Sequence, residues 1–503
     1  MGVLQRQRAR DALKVTPSDT VAVALRDLAE GATIEVDGVR VTLIEPVARG
    51  HKLALRAIAA GEPVVKYGAP IGVATAPIAP GAHVHTHNVK TSLSGLDRYA
   101  YEGSCSRGGG PAPDGGSFKG YARAGGRVGT RNEIWIIATV GCVARVSEKI
   151  ARAGDEKFKG RVDGVHAITH PFGCSQLGDD LDGTRAILAA LAAHPNAGGV
   201  LFMGLGCESN QLDDLLASAP DLDRARVAGI VSQQVEDEFE AGIAAVEALV
   251  VIAERESRVD CPASALVLGL KCGGSDGFSG LTANPLVGRM ADRVTAAGGS
   301  AILTEIPEIF GAERVLLRRA ENETVFNDLV AVVNDFKRYF LDHDQPIHEN
   351  PSPGNIAGGI TTLEEKSLGA VQKAGAASVA DVRRYGERVR RRGLTILEAP
   401  GNDAVSSTAL AAAGATLILF TTGRGTPLGF PVPTMKISSN SALAEKKPQW
   451  IDFDAGAVLL AGSSDETAGR LYDALLDHAS GRPTRNEEND ERSIAIWKRG
   501  VTL

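Results

Sequence analysis

From residue 120 onwards, continuous apolar runs of strand length alternate with stretches whose apolar positions recur at helical spacing. IWIIATV is followed by ARVSEKIARAG, VHAIT by LDGTRAILAALAAH, and GVLFMGL by NQLDDLLASA. This alternation predicts a parallel sheet with helices on both faces, because strands buried on both sides are uniformly apolar. The series continues through SALVLGLKC and SAILTEIP. After a helical, glycine-punctuated stretch near residues 330–390, the runs GLTILEAP, ATLILFTTG, TMKISS and WIDFDAG predict another α/β unit. The first hundred residues read differently. Ile34, Val36, Val39, Val41 and Leu43 alternate around Asp37-Gly38, which predicts a tight hairpin. EPVVKYG, APIGVAT and AHVHTHNV are short and no long amphipathic helix separates them, so a compact β module is expected. The chain thus divides into a β module at 1–98, a linker at 99–118 rich in Gly, Ser and Pro, an α/β domain at 119–375 and a C-terminal α/β domain at 376–503.

Composition removes several classes of function. A chain of 503 residues with 44% hydrophobic residues can bury several cores. Its formal net charge of -7 and the lack of a run of five or more basic residues argue against nucleic acid as a partner. No signal-like start and no spanning apolar run of about 18 residues are present, so no membrane partner is expected and the cytoplasm is the expected address. Six cysteines are too sparse for a disulfide framework.

Four of those cysteines carry candidate chemistry. Cys142, Cys207 and Cys272 stand at the carboxyl ends of predicted parallel strands, Cys174 follows another, and Glu305 ends a fifth. Ligands of open α/β sheets bind at that edge, where helix N-termini also offer donors to anions. Each cysteine taken singly is as well explained as a buried small hydrophobe. Four in glycine turns (VGC, FGC, LGC, KCGG) point to a shared role, such as holding iron or an iron–sulfur cluster, although the spacings match no short zinc or cluster motif. His83, His85 and His87 in HVHTHN fall on one face of a strand, and three imidazoles suit divalent iron, manganese or zinc; a polar sheet edge is the alternative. His51 and His170 are single histidines, more often satisfied core residues. GRGTPLG is a poor dinucleotide fingerprint because Pro427 and the spacing break it, and Arg424 there suits a carboxylate instead.

The segments GRVGTRNE, HPFGCSQLGDD, GLGCESNQ, CGGSDGFSGLTANPLVGR, LTEIPEIFGAE, NPSPGNIAGGITTLEEKSLG, TTGRGTP, PTMKISSN and WIDFDAG resemble the altronate dehydratase family almost end to end. RGHKLAL, VKYGAPIG and HVHTHN resemble the small antifreeze-like β-clip domain at the front of those enzymes. The resemblance implies dehydration of D-altronate to 2-keto-3-deoxy-D-gluconate in bacterial hexuronate breakdown, with divalent iron required or manganese in its place. Galactarate dehydratases share many of these positions but lack HVHTHN and SQLGDD, which favours altronate. Phe172, Ser209, Lys271 and Ile356 depart from the usual pattern, which keeps an aldonate of different stereochemistry as an alternative substrate, and the related enzymes add an aldarate or a C–S bond. The chemistry implied is removal of the proton beside the carboxylate and loss of the β-hydroxyl, assisted by a metal and a general acid. The residues assigned are His51, His170, Glu305 and Lys366 to catalysis, and Arg131, Asn132, Asn284, Arg424 and Lys436 to substrate binding. Cys142, Cys174, Cys207, Cys272, His83, His85 and His87 are assigned to metal. A homo-oligomer acting on a small sugar acid is expected.

Overall fold

The computed structural model describes residues 10–103, 115–220, 222–459 and 464–502; part of the expected linker, residues 104–114, lies outside them. The N-terminal hairpin forms as its turn chemistry requires. Thr33–Val36 pairs with Val39–Thr42, and Asp37 and Gly38 take φ values of 47° and 81°, as a two-residue type I′ turn demands. Val21–Ala24 and Lys52–Ala54 lie at the centre of a four-stranded sheet whose edge strand is His83–Val84. Successive side chains on these strands face opposite ways. Ala22 and Leu53 enter the module's own core, whereas Val21 and Ala54 enter the apolar mass of the C-terminal unit. The module is therefore docked on the rest of the protein through a shared core.

The second unit is a parallel sheet of β1 (Glu133–Ala138), β2 (Val165–Ile168), β3 (Ala197–Gly204) and β4 (Val227–Val231), in the order β2-β1-β3-β4. Helices Ala144–Lys157, Gly178–Ala192 and Leu212–Ala217 connect them, and Glu238–Ala253 follows β4. The third unit is a seven-stranded parallel sheet. Its strands are β5 (Val267–Cys272), β6 (Ser300–Leu303), β7 (Val379–Arg383), β8 (Gly393–Leu397), β9 (Leu417–Thr422), β10 (Thr434–Ser438) and β11 (Phe453–Asp454), ordered β7-β8-β6-β5-β9-β10-β11. The order reverses at β5, and a crevice at the carboxyl ends of such a switch point is where open α/β sheets bind ligands.

The division expected at residue 375 falls inside this sheet and is corrected here: β5 pairs directly with β9, and β6 with β8. The change of sheet comes instead where Val259–Pro262 pairs antiparallel with Ser117–Ala122, closing the second unit at its base. Apolar runs announce buried strands but carry no information on which sheet each one joins.

Two residues expected to bind substrate are fasteners instead, Arg131 between the second and third units and Asn132 within the second. Arg131 is buried and forks onto Glu487, with Nε–Oε1 2.7 Å and Nη2–Oε2 2.9 Å, while its other donors serve the carbonyls of Thr130, His478 and Arg482. The Asn132 amide donates to the Ala253 carbonyl at 2.9 Å. Neither side chain is open to a ligand. Burial acts to raise the Glu487 pKa, but the Arg131 guanidinium outweighs it and holds the carboxyl at about 2, below its ordinary 4.5. The stability this pair contributes is complete above about pH 4.5 and is lost as pH falls through about 2. Glu487→Gln is expected to cost about 3–5 kcal/mol at neutral pH by leaving the guanidinium buried and unpaired. In urea titrations the gap to the parent should narrow with acidification through that window; equal stability at pH 7 would contradict the clamp.

Candidate active site

The short helix Pro353–Ala357 gathers the side chains around the switch point. It begins where Pro can occupy the first turn and where Ser352 and Asn355 form a reciprocal cap. Arg424, in the loop after β9, donates Nη1 to the Gly354 carbonyl at 3.2 Å and is otherwise exposed. Asn355 accepts from Lys366 Nζ at 3.2 Å and donates to the Ser275 carbonyl at 2.8 Å. His51, from the N-terminal module, lies close enough to the Ala357 backbone to feel its dipole. Gly354 and Ala357 are about 5 Å apart along a helix axis, so Arg424 and His51 flank one turn. Asp276 lies beside it, held by Ser439 Oγ at 2.8 Å and Asn440 Nδ2 at 3.0 Å.

Four imidazoles meet at this junction. His51 Nδ1 is 3.0 Å from His83 Nε2, and ring centroids are 4.9 Å apart for His51–His85, 5.5 Å for His83–His85 and 5.3 Å for His83–His87. The strand expected to carry the three histidines ends at Val84. His85 opens a turn instead, its carbonyl accepting from the N–H groups of Asn88 and Val89, and this turn returns His87 toward His83. Burial lowers the pKa of His51, and burial with neighbouring cations lowers those of His83 and His85 to about 4. These three rings are neutral at pH 7 and keep lone pairs. His85 Nδ1 lies 3.0 Å from Thr361 Oγ1, which orients the ring as second partners of metal-binding histidines do. Neutral imidazoles are the donor type that divalent iron or manganese takes, although no three of these ring nitrogens lie within 4.8 Å of one another.

Below the helix lies a buried nest of alternating charge. β5 delivers Lys271 and Cys272. The turn after β6 delivers Glu305, at φ 69°, and Glu308, and the helix Leu363–Ala370 with the turn after it delivers Lys366 and Lys373. Lys373 Nζ is 2.7 Å from Cys272 Sγ, Lys366 Nζ is 2.8 Å from Glu308 Oε1, and Lys271 Nζ bonds both Glu305 and, at 2.8 Å, Asp403. Cys272 Sγ donates to Glu308 Oε2 at 3.2 Å. Burial, then Glu305 and Glu308, push this thiol up to about 12, so it stays protonated. Burial opposes ionisation of Glu308, yet Lys366, Lys271 and Lys373 hold it at about 2. The ligand atoms of Cys272, Glu305 and Glu308 lie within 4.8 Å of one another. Three ammoniums already engage them and, with the thiol neutral, balance Glu305, Glu308 and Asp403, so the set fits a divalent cation poorly.

The remaining expected residues are dispersed. His170 is buried within the second unit, with Nε2 2.9 Å from the Ala138 carbonyl and Nδ1 accepting from Phe172 N at 3.1 Å; it fastens loops there and does not reach the Pro353–Ala357 turn. Lys436 Nζ donates to the carbonyls of Thr426 and Pro427 and props the Arg424 loop instead of facing a ligand. Asn284 bonds Gly369 and Thr421 and lines a small cavity with Lys66, Asp276 and Lys366. Cys142, Cys174 and Cys207 are exposed on the second unit's sheet and do not join Cys272.

Lys52, Lys66, Glu365 and Lys373 escaped the sequence reading. Lys66 had a legible signal: it shares the inward phase of its strand with Val64. Lys373 had none.

Three family models match in succession: the altronate/galactarate dehydratase SAF domain over residues 10–92, the D-galactarate dehydratase/altronate hydrolase second domain over 120–254, and the D-galactarate/altronate dehydratase C-terminal domain over 263–502. Altronate dehydratase of Escherichia coli (strain K12) is 51% identical over 98% of this chain and 99% of its own length. The chain belongs to the altronate/galactarate dehydratase family. Altronate dehydratase of Bacillus subtilis (strain 168) is 48% identical over 98% of this chain and 99% of its own, and galactarate dehydratase (L-threo-forming) of E. coli is 34% identical over 93% of each. Membership makes the protein a hydro-lyase. The family boundaries near 254–263 coincide with the change of sheet. Among the described residues no helix is long and apolar enough to cross a membrane.

Proposed function

We propose that this sugar-acid dehydratase converts D-altronate to 2-keto-3-deoxy-D-gluconate in the cytoplasm, with divalent iron, or manganese in its place, held by His83, His85 and His87. The observation that carries the reading is near full-length similarity to two altronate dehydratases. The junction geometry supports it. An aldonate offers a carboxylate, a weakly acidic C2 proton and a poor leaving group at C3. A divalent ion, when bound, supplies Lewis-acid stabilisation of the charge that builds beside the carboxylate. Arg424 meets the carboxylate with its free forked donors. His51, neutral because burial lowers its pKa, accepts the C2 proton. Lys366 is held as an ammonium by Glu308 although burial opposes it, and gives a proton to the departing C3 hydroxyl from the other side of the helix. The enol then tautomerises to the ketone. The nest of Glu305, Glu308, Cys272 and their lysines fixes Lys366 in place.

The test is turnover of a panel of D-altronate, galactarate, other aldonates and sulfolactate with ferrous iron and thiol under nitrogen, read as 2-keto-3-deoxy acid. D-Altronate is expected to be the fastest substrate. Much faster turnover of another sugar acid would remove the altronate assignment and keep the class; no sugar-acid turnover would remove both.

A further inference from the structure

We propose that Cys142, Cys174 and Cys207 hold an iron–sulfur cluster through three protein thiolates, at a site on the second unit separate from the histidine junction and independent of the dehydratase reading. Free cysteines are among the most buried residues. Cys261 and Cys272 obey that rule, whereas these three are exposed. They lie in the loops after β1, β2 and β3, three adjacent parallel strands with β1 in the middle.

The loops are fastened to one another. Gly141 N donates to the Phe172 carbonyl at 2.8 Å, and Asn210 N donates to the Gly173 carbonyl at 3.0 Å. Asn210 Nδ2 and Glu208 Oε1 reach back to Thr139, at 3.1 Å and 2.7 Å. The glycine before each cysteine permits this contact: a Cβ on Gly173 would stand 2.2 Å from the Thr139 carbonyl oxygen, and one on Gly206 2.7 Å from Gln233 Oε1. His170 adds the bonds to Ala138 and Phe172 described above. A scaffold this interlocked holds three exposed cysteines in the loops at the carboxyl ends of three adjacent strands. Cys174 Sγ is 3.7 Å from Ser175 Oγ, and Cys207 Sγ accepts from Gln233 Nε2 at 3.5 Å, the kind of donor that tunes cluster sulfur ligands.

The width of the rim selects the occupant. One tetrahedral ion bound at 2.3 Å would draw three sulfurs to about 3.8 Å from one another. Among the described residues only Cys272, Glu305 and Glu308 bring three such donor atoms within 4.8 Å. The three rim sulfurs do not all fall within that distance, so one ion does not gather them, whereas a cluster offers each thiolate a separate iron. Three thiolates for four irons leave one iron open to an oxygen ligand such as a hydroxyl or carboxylate. Each protein thiol passes its proton to the external thiolate that it displaces from a thiolate-capped cluster, so three iron–sulfur bonds form as three break and no electron moves to or from the protein.

The experiment is anaerobic reconstitution of the full chain with iron and sulfide in a dithiol, followed by desalting. Visible charge-transfer absorption is expected with about four iron and four acid-labile sulfide per chain. The triple variant C142S/C174S/C207S should lose at least about tenfold of both, whereas C272S should keep them. In a second measurement, loaded protein should be protected from alkylation at the three rim cysteines and unloaded protein should not. Iron without sulfide, full cluster content in the triple variant, or equal alkylation with and without the cluster would each overturn the assignment.

Discussion

Glu365→Ala is expected to destabilise the protein by about 3–5 kcal/mol and to abolish turnover together with docking of the N-terminal module. The carboxylate lies between two buried ammoniums, 2.9 Å from Lys52 Nζ and 2.8 Å from Lys66 Nζ, and also takes the Thr361 N–H at 2.8 Å. Burial resists all three charges. It lowers the Lys52 pKa to about 8, while the carboxylate, with Lys52 and Lys66 beside it, is held near 2. Removing it strands two cations in a dry interface. The module carries His51, His83, His85 and His87, so its displacement removes the imidazoles from the Pro353–Ala357 turn. Urea unfolding and altronate turnover in the same preparations check this. A triple change of Lys52 and Lys66 to Met with Glu365 to Leu should recover much of the stability, because apolar replacement of a buried ion set is often neutral or favourable. Parental stability and turnover in Glu365→Ala would show that these pairs do not hold the junction.

His51→Asn is expected to lower turnover by roughly 10²–10⁴-fold, the range for loss of a positioned general base. Asn keeps approximate size and one polar contact but cannot accept the proton. The parent should lose activity as pH falls through a value below 6.5, because burial lowers the His51 pKa and the base works only when neutral. That acidic limb should vanish in the variant. A variant with a parent-like rate, or with the limb intact, would assign the proton to another group. Metal content measured alongside separates loss of the base from loss of an ion at the neighbouring histidines.

The features legible in the chain are those decided locally. Asp37-Gly38 dictates its turn because few other residue pairs tolerate two positive φ values, and apolar runs dictate buried parallel strands because a side chain needs no distant partner to be hydrophobic. Cys272 and Glu305 were found through strand-end position and residue type, and His51 through the family resemblance. The buried lysines were not, because a lysine is tolerated inside only if an acid meets it, and the acid that meets Lys66 is 299 residues away. Strand-end position also says nothing of which sheet a strand joins. Four cysteines at equivalent positions therefore looked like one site, whereas three crown the sheet around β1 and the fourth ends β5. Arg131 and His170 show the reverse error: polar residues in family motifs can be fasteners whose donors and acceptors are all spent on backbone and counter-charge.

The docking of the module through a shared core and the Lys52–Glu365–Lys66 pairs changes what the covalent connection between residues 98 and 117 does. Two surfaces that bind each other without the backbone's help need a tether only to raise their effective concentration. The working site is in this sense an interface within one chain. Were the two parts made as separate polypeptides, activity would become an association equilibrium, rising with concentration and falling wherever the ion pairs are weakened.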